Sequence, residues 1–266
     1  MPKRHGHDIA SAWRRPEGRR PWVLGHRGAR HAAPENTLAA FELAAREGAD
    51  GIELDVRLDG SDEVIVLHDT TLARVTGNRD RRVAERVTSD ALSHVDVGSG
   101  ERVPSLRDVL EFSRSRGLRV NVELKHDVSR RRLLVAKIGE LIGSLPDAPE
   151  WILLSCFHPV VVLRLSRALP QIPVAWLVHK QQHVLRRAPA WRLLGAVGVH
   201  PEHVLITPAR LAALRAGGAL VNTWTVNEPE RAAALAELGV DAIISDNPGR
   251  VLARLNGAQG AEPQGE

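Results

Sequence analysis

Short apolar stretches alternate with longer amphipathic stretches along most of the chain. Nine of the short stretches are almost continuously apolar, which is typical of strands buried on both faces of a sheet. They are residues 22–25, 51–56, 64–67, 119–124, 151–155, 173–178, 196–199, 219–226 and 241–244. Strands that alternate with helical segments predict a parallel sheet covered by helices.

Three of the intervening stretches have helical boundaries, at residues 34–47, 105–116 and 229–238, and each ends just before a glycine. The second begins with a Ser-x-x-Asp pattern at Ser105, which is typical of a helix N-terminus. A chain of 266 residues with this many strands favours a closed (β/α)8 TIM barrel, somewhat distorted, over an open sheet.

One predicted strand is too many for an eight-stranded barrel. Only residues 57–63, which include an Asp-Gly turn, separate the stretch containing Glu53 from the stretch that ends at His68. A helical crossover needs about a dozen residues, so we expect a hairpin here. Antiparallel pairing around a short loop would set Glu53 opposite a residue between Val66 and His68.

The pattern also predicts the limits of the folded domain. Residues 20–255 are expected to form a single catalytic domain, and residues 1–19 and 256–266 are expected to be disordered tails. Residues 72–103 lack strand and helix patterns, so we expect a small insertion near the barrel mouth that contributes to the substrate pocket.

Composition narrows the class of protein. A hydrophobic content of 43% and a charged content of 26% are ordinary for a globular chain. The single cysteine, Cys156, cannot form an intrachain disulfide, and residues 1–20 lack the apolar segment of a signal peptide. These features predict a cytoplasmic protein without stable membrane insertion.

The net charge of +4 comes with scattered arginines and no nucleic-acid-binding motif, so we expect no nucleic-acid partner. The oligomeric state stays open.

Polar side chains stand where several of the predicted strands end, the position of the active site in such barrels. They are His26, Arg27, Glu53, Asp55, His68, Asp69, Asn121, Glu123 and Lys125. Because strand side chains alternate, Glu53 and Asp55 share one face, and Glu123 adds a third carboxylate. Three oxygen ligands suit one divalent cation, Mg²⁺ or Ca²⁺. The chain has no Cys/His cluster at zinc spacing.

These groups suit metal-assisted attack on a phosphate ester. A cation would hold a phosphoryl oxygen, Arg27 and Lys125 would neutralise the remaining charge, and two histidines could act as general base and general acid. A structural role is an alternative for each of these residues. Histidines at strand ends are often structural, and Lys125 could pair with Glu123 without contacting a substrate. Trp224 is predicted as a third substrate contact, although its spacing fits a core residue equally well.

Seven motifs in order resemble the glycerophosphodiester phosphodiesterase family over residues 22–255. They are His26-Arg27-Gly28, Pro34-Glu35-Asn36-Thr37, Glu53-Leu54-Asp55-Val56, His68-Asp69, Glu123-Leu124-Lys125, Trp224-Thr225-Val226-Asn227 and Ser245-Asp246-Asn247-Pro248. The resemblance implies a (β/α)8 barrel with a small insertion after the second histidine. It also implies hydrolysis of a glycerophosphodiester to glycerol 3-phosphate and an alcohol, in lipid and glycerol metabolism.

The resemblance also implies roles for individual residues. It implies His26 and His68 as the acid/base pair, in either order. It implies a metal site made by Glu53, Asp55 and Glu123, and it implies phosphate contacts from Arg27 and Lys125. The segment Ser155-Cys156-Phe157-His158 departs from the Ser-Phe-acidic or Ser-Phe-amide pattern of the family, which concerns the pocket for the alcohol.

Two alternative functions remain at this stage. A phospholipase D-like enzyme would use the same site on lysophospholipid or sphingolipid head groups, and it predicts a more aromatic mouth than an aromatic content of 3% suggests. A non-catalytic barrel would bind a phosphorylated ligand or nucleic acid without turnover, but it would not need an acid/base pair.

Overall fold

A closed barrel of parallel strands forms the centre of the protein in a computed structural model, which describes residues 9–182 and 190–259. The described strands are β1 (Trp22–His26), β2 (Gly51–Leu58), β3 (Val64–Val66), β4 (Arg119–Leu124), β5 (Ile152–Cys156), β6 (Val174–Val178), β7 (Gly198–Pro201), β8 (Leu220–Thr223) and β9 (Ala242–Ser245). The barrel closes because β1 pairs in parallel with both β2 and β9. The predicted (β/α)8 TIM barrel is confirmed.

Strand β3 is the surplus strand, and it pairs antiparallel with β2 outside the ring of eight. Val56 pairs with Val66, and this register, continued along both strands, sets Asp69 opposite Glu53. The predicted register is therefore wrong by one residue. The Asp59 carboxylate closes the loop by accepting hydrogen bonds from the backbone amides of Ser61 and Glu63.

Helices cover the outside of the barrel. The described α-helices are α1 (Leu38–Arg46), α2 (Ser89–Ser93), α3 (Leu106–Ser115), α4 (Arg131–Gly143), α5 (Ala148–Trp151), α6 (Pro159–Ala168), α7 (Ala190–Leu193), α8 (Pro208–Ala216), α9 (Pro229–Leu238) and α10 (Pro248–Gln259). The predicted cap of α3 is a full capping box between Ser105 and Asp108. Helix α1 begins later than predicted, because Asn36 takes a left-handed conformation (φ 57°) and Thr37 caps the helix.

The lower end of the barrel is closed by residues that precede β1. A short 3₁₀ helix, Ser11–Trp13, places Trp13 in the barrel interior, where it is fully buried in a cluster with Leu24, Leu153 and Leu220. The prediction of disorder is therefore wrong for residues 9–19, because Ala10 and Trp13 are buried in this cluster. Residues 1–8 lie outside the described residues.

The C-terminal prediction needs a similar correction. Helix α10 continues to Gln259 rather than ending at residue 255. The Asn256 amide oxygen accepts a hydrogen bond from Arg20 (3.2 Å), so polar contacts extend the helix beyond its last apolar residue. Residues 260–266 of the predicted tail lie outside the described part of the chain.

The segment 72–103 packs on its own small core beside the β2–β3 hairpin. Leu72, Ala84 and Leu92 are buried in it against Ile65 and Leu67. The segment thus stabilises the hairpin that carries His68. In residues 9–182 and 190–259, no helix combines the length and the apolar character that crossing a membrane requires.

Candidate active site

A cavity of about 200 Å³ opens at the C-terminal ends of the barrel strands. It is lined by His26, Arg27, Glu53, His68, Asn121, Glu123, Lys125, Phe157, Leu177, His179, Trp224, Thr225 and Ile244. Eight residues received a catalytic, metal-binding or substrate-binding role from the sequence. Seven of them line this cavity, and the eighth, Asp55, lies in contact with Arg27 and Lys125.

A larger cavity, of about 600 Å³, lies at the opposite end of the barrel beside Trp22, Arg119 and Trp151. Its lining contains no histidine, and one of its two acidic residues, Asp50, is already paired with Arg20. Barrel enzymes carry their chemistry at the C-terminal end, so the smaller cavity is the candidate active site.

Three carboxylates meet at the floor of this cavity. Glu53 and Asp55 project from the same face of β2, and Glu123 stands beside Asp55 because β2 and β4 pair in that register. Each of the three offers one oxygen, and these oxygens lie within 4.8 Å of one another. All three side chains are buried. The group therefore has the spacing and the hard oxygen donors of a divalent cation site.

The charge balance of the group also favours a cation. Burial raises the pKa of Glu53 well above its usual range, and the charges of Asp55 and Glu123 raise it further. Burial likewise raises the pKa of Glu123. Burial opposes ionisation of Asp55 too, but Lys125 and Arg27 outweigh it and lower the Asp55 pKa. A further positive charge would let all three carboxylates ionise together.

Two cationic side chains flank the carboxylates. Lys125 Nζ lies 2.8 Å from Glu123 Oε1 and 3.3 Å from Asp55 Oδ1. Arg27 adopts a left-handed conformation (φ 55°) just beyond β1, and its guanidinium lies 3.0 Å from Asp55 and 2.9 Å from Glu35. These cations are placed to neutralise an anionic substrate group beside the carboxylates.

The two histidines have the same local arrangement. Nδ1 of His26 lies 2.6 Å from Asp246, and Nδ1 of His68 lies 2.6 Å from Asp69. Each carboxylate fixes its ring and leaves Nε2 available for proton transfer. Burial lowers the pKa of both histidines, although the aspartates oppose this shift. A lowered pKa favours the neutral form of each ring, the form that can accept a proton.

The sequence reasoning assigned no role to several residues that hold these groups. Asp246 and Asn227 lie in motifs that the family resemblance contains, and the Asn227 amide donates to Asp246 (2.8 Å). Arg57 was not singled out at all. Its buried guanidinium donates to the backbone oxygen of His68 (2.8 and 2.9 Å). A charged residue inside an apolar strand was the available signal for Arg57.

An aromatic wall faces the carboxylates. The Trp224 ring packs edge-to-face against Phe157, with centroids 5.4 Å apart, and stacks on His179 at 5.9 Å. The Trp224 indole N–H donates to the backbone oxygen of His200 (2.8 Å). Trp224 thus stands in the cavity wall rather than in the core.

One expectation about the pocket needs correction. Among the described residues that line the cavity, none comes from segment 72–103, because that segment packs sideways on the β2–β3 hairpin. Its contact with the site is made by Arg74, which lies against Asp69 and Glu35. In the divergent segment after β5, Phe157 lines the cavity, whereas the His158 ring caps α6 by accepting a hydrogen bond from a backbone amide.

Comparison with known proteins agrees with this geometry. The model of the glycerophosphoryl diester phosphodiesterase family matches residues 26–250. The chain belongs to this family. A glycerophosphodiester phosphodiesterase of Bacillus altitudinis is 31% identical over 242 residues, which cover 86% of this chain and 96% of the relative.

Solved structures share the fold. A structure from Silicibacter pomeroyi DSS-3 superposes with a TM-score of 0.85 at 24% identity, covering 96% of this chain and 99% of that chain. An Oleispira antarctica phosphodiesterase, in complex with the product sn-glycerol-3-phosphate, superposes with a TM-score of 0.79 at 26% identity. That match covers 89% of this chain and 97% of the other.

Proposed function

We propose that the chain hydrolyses glycerophosphodiesters to glycerol 3-phosphate and an alcohol, using one divalent cation. The observation that carries this proposal is the convergence of two histidine–aspartate pairs and three carboxylates on one cavity. Family membership supports it, as does the relative whose structure contains sn-glycerol-3-phosphate.

Glu53, Asp55 and Glu123 would hold the cation, either Mg²⁺ or Ca²⁺, because they offer only carboxylate oxygens. When bound, the cation supplies electrostatic stabilisation of the charge on a phosphoryl oxygen. Arg27 and Lys125 both line the cavity and contact Asp55, and they would bind the remaining phosphate oxygens.

His26 and His68 would move the protons of the reaction. One imidazole takes a proton from the attacking water molecule as its oxygen forms the new P–O bond. The other donates a proton to the leaving oxygen as the second P–O bond breaks. Asp246 and Asp69 keep the rings oriented through their 2.6 Å contacts.

Trp224 would contact the substrate through its ring face. A cavity of about 200 Å³ favours a small diester over a lysophospholipid, because an acyl chain would need an apolar channel as well. We place the reaction in the cytoplasm and assign it to the barrel as one domain. The buried Cys156, whose thiol pKa burial raises to about 12, gives the protein no disulfide to maintain.

A substrate panel tests the proposal. Product release is measured from glycerophosphocholine, glycerophosphoethanolamine and lysophosphatidylcholine, each with a chelator and after Mg²⁺ or Ca²⁺ is restored. We expect turnover of a glycerophosphodiester that the chelator abolishes and the cation restores. Turnover of lysophosphatidylcholine alone would support the phospholipase D-like alternative. Absence of turnover on all three substrates would contradict the proposal.

A further inference from the structure

A continuous series of ion pairs runs from one histidine of the cavity to the other. It contains seven side chains, which are, in spatial order, His26, Asp246, Arg30, Glu35, Arg74, Asp69 and His68. Charges alternate along the series, and only its two ends line the cavity. The five inner members are therefore positioning residues, and Glu35 also contacts Arg27 in the cavity lining.

The arm on the His26 side is built from three contacts. Asp246 Oδ1 accepts from His26 at 2.6 Å and lies 2.9 Å from Arg30 Nε. The Nη1 atom of Arg30 lies 3.3 Å from Glu35 Oε2. Arg30 thus bridges two carboxylates with different nitrogens of one planar group, which fixes their relative positions.

The arm on the His68 side is tighter. Asp69 Oδ1 contacts His68, and its Oδ2 accepts a 2.6 Å hydrogen bond from Arg74 Nε. The two terminal nitrogens of Arg74 donate to both oxygens of Glu35 at 2.7 and 2.8 Å. Arg74 is therefore a two-sided clamp, and a side chain without the guanidinium fork could not hold both carboxylates.

Glu35 is the shared member of the two arms. It contacts three arginines, since Arg27 also donates to it at 2.9 Å, and its side chain is 13% exposed. Burial opposes its ionisation, but the hydrogen bonds from Arg74 and the charge of Arg27 lower its pKa. Glu35 is thus held as an anion among cations.

We propose that Glu35, with Arg30 and Arg74, is a positioning bridge that fixes both histidine–aspartate pairs relative to one another. This inference rests on the proposed acid/base roles of His26 and His68. Cleavage of a diester requires proton transfer at two oxygens on different sides of one phosphorus. The two imidazole rings must therefore have the right positions and orientations relative to each other. A displacement of about 1 Å at such a group can cost about 10²-fold in rate.

A substitution of Arg74 tests the bridge better than a substitution of Glu35, because Glu35 also contacts Arg27 and its loss would disturb that residue as well. We expect Arg74→Ala to lower kcat by about 10- to 100-fold and to leave KM near the wild-type value, since Arg27, Lys125 and the carboxylates are unchanged. Arg74→Lys should recover only part of kcat, because an ammonium group lacks the fork. Arg82→Ala is the matched control. Arg82 lies in the same segment and pairs only locally with Asp80, so kcat should stay unchanged.

A double variant shows whether Arg74 acts through Asp69. If it does, Arg74→Ala combined with Asp69→Asn is no slower than Asp69→Asn alone. Multiplicative losses in the double variant would overturn the bridge. So would an Arg74→Ala protein that changes KM only, or one with wild-type kcat. If Arg74→Ala does not fold, Arg74→Lys replaces it in the comparison with Asp69→Asn, and the same outcomes support or overturn the bridge.

Proton NMR tests the bridge without turnover. A short Nδ1–H···carboxylate bond gives a far-downfield proton signal, which is assigned to His68 by its loss in His68→Ala. We expect this signal to broaden or disappear in Arg74→Ala and to persist in Arg82→Ala. A signal unaffected in Arg74→Ala would contradict the bridge. A wild-type protein that shows the signals but hydrolyses no diester would instead contradict the proposed function.

Discussion

Asp246 lies 2.6 Å from Nδ1 of His26, although 220 positions separate the two residues in the chain. The contact exists because β9 pairs with β1 when the barrel closes, with Ser245 beside Gly25. Asn227 then holds the second oxygen of Asp246 at 2.8 Å. Residues near the two ends of the sequence therefore form this histidine–aspartate pair together.

Asp246→Asn should lower kcat without unfolding the protein. The amide keeps the shape of the side chain but can present an N–H to His26, which favours the wrong ring tautomer. In a comparable histidine–aspartate pair this change costs up to about 10⁴ in rate. Steady-state kinetics at saturating cation measure the effect. The exposed Asp90 gives the control, Asp90→Asn, which should behave as wild type. A wild-type rate in Asp246→Asn would show that the pair does not orient His26.

Glu53→Gln and Glu123→Gln should each raise the cation concentration needed for half-maximal activity. Each change removes one anionic ligand from the three-carboxylate group while leaving its volume nearly unchanged. Titration of the chelator-treated protein with Mg²⁺ or Ca²⁺, followed by activity and by calorimetry, measures the shift.

The control for the cation titration is Glu63→Gln, because Glu63 is exposed on the β2–β3 loop. It should titrate like wild type. Unchanged titrations in both Glu53→Gln and Glu123→Gln would move the cation to another part of the chain.

Stability should fall on mild acidification because of His200. The ring is fully buried, neither ring nitrogen has a hydrogen-bond partner among the described residues, and burial lowers the pKa to about 3. The folded protein keeps His200 neutral, whereas the unfolded chain protonates it near pH 6.5. His200 does not lower the free energy of unfolding above about pH 6.5. Below that pH the free energy of unfolding falls by about 1.4 kcal/mol per pH unit as the pH approaches 3.

Urea unfolding at several pH values checks the role of His200. The free energy of unfolding of wild type should fall more steeply between about pH 6 and pH 4 than that of His200→Gln. The glutamine variant retains every other titrating group, so the difference in slope belongs to His200. Equal slopes would mean that His200 has a polar partner or water contact in the folded protein.

Trp13→Ala should destabilise the barrel by about 3–5 kcal/mol, the usual cost of removing a fully buried large aromatic side chain. Trp13 fills the lower end of the barrel interior. Urea unfolding at neutral pH measures the loss, and kcat of the folded fraction should stay near wild type because the cavity is at the other end. A loss as small as that of a surface substitution would show that residues 9–19 do not close the barrel.

The sequence predicted most of the barrel, because strands buried on both faces leave continuous apolar stretches with helices between them. It also predicted that Glu53, Asp55 and Glu123 meet, since strand alternation fixes their faces. The hairpin register was missed because it depends on how the Asp59 side chain closes its loop.

Other features depend on contacts between distant residues, which one sequence does not encode as a local pattern. Trp13 ends a short stretch, residues 9–13, without strand or helix periodicity, so its burial in the barrel could not be predicted. Asp246 and Arg74 acquire their significance only when closure and the hairpin bring them to Asp69, Glu35 and His26.

The central claim is that His26 and His68 act as a general acid and base on one diester held in this cavity. The most direct measurement is the rate of glycerol 3-phosphate release from a glycerophosphodiester by wild type, His26→Ala and His68→Ala at saturating cation. We predict turnover by wild type and a loss of about 10² to 10⁴ in each variant. Binding of an uncleaved phosphodiester analogue should persist through Arg27 and Lys125. A His68→Ala protein as fast as wild type would contradict the account.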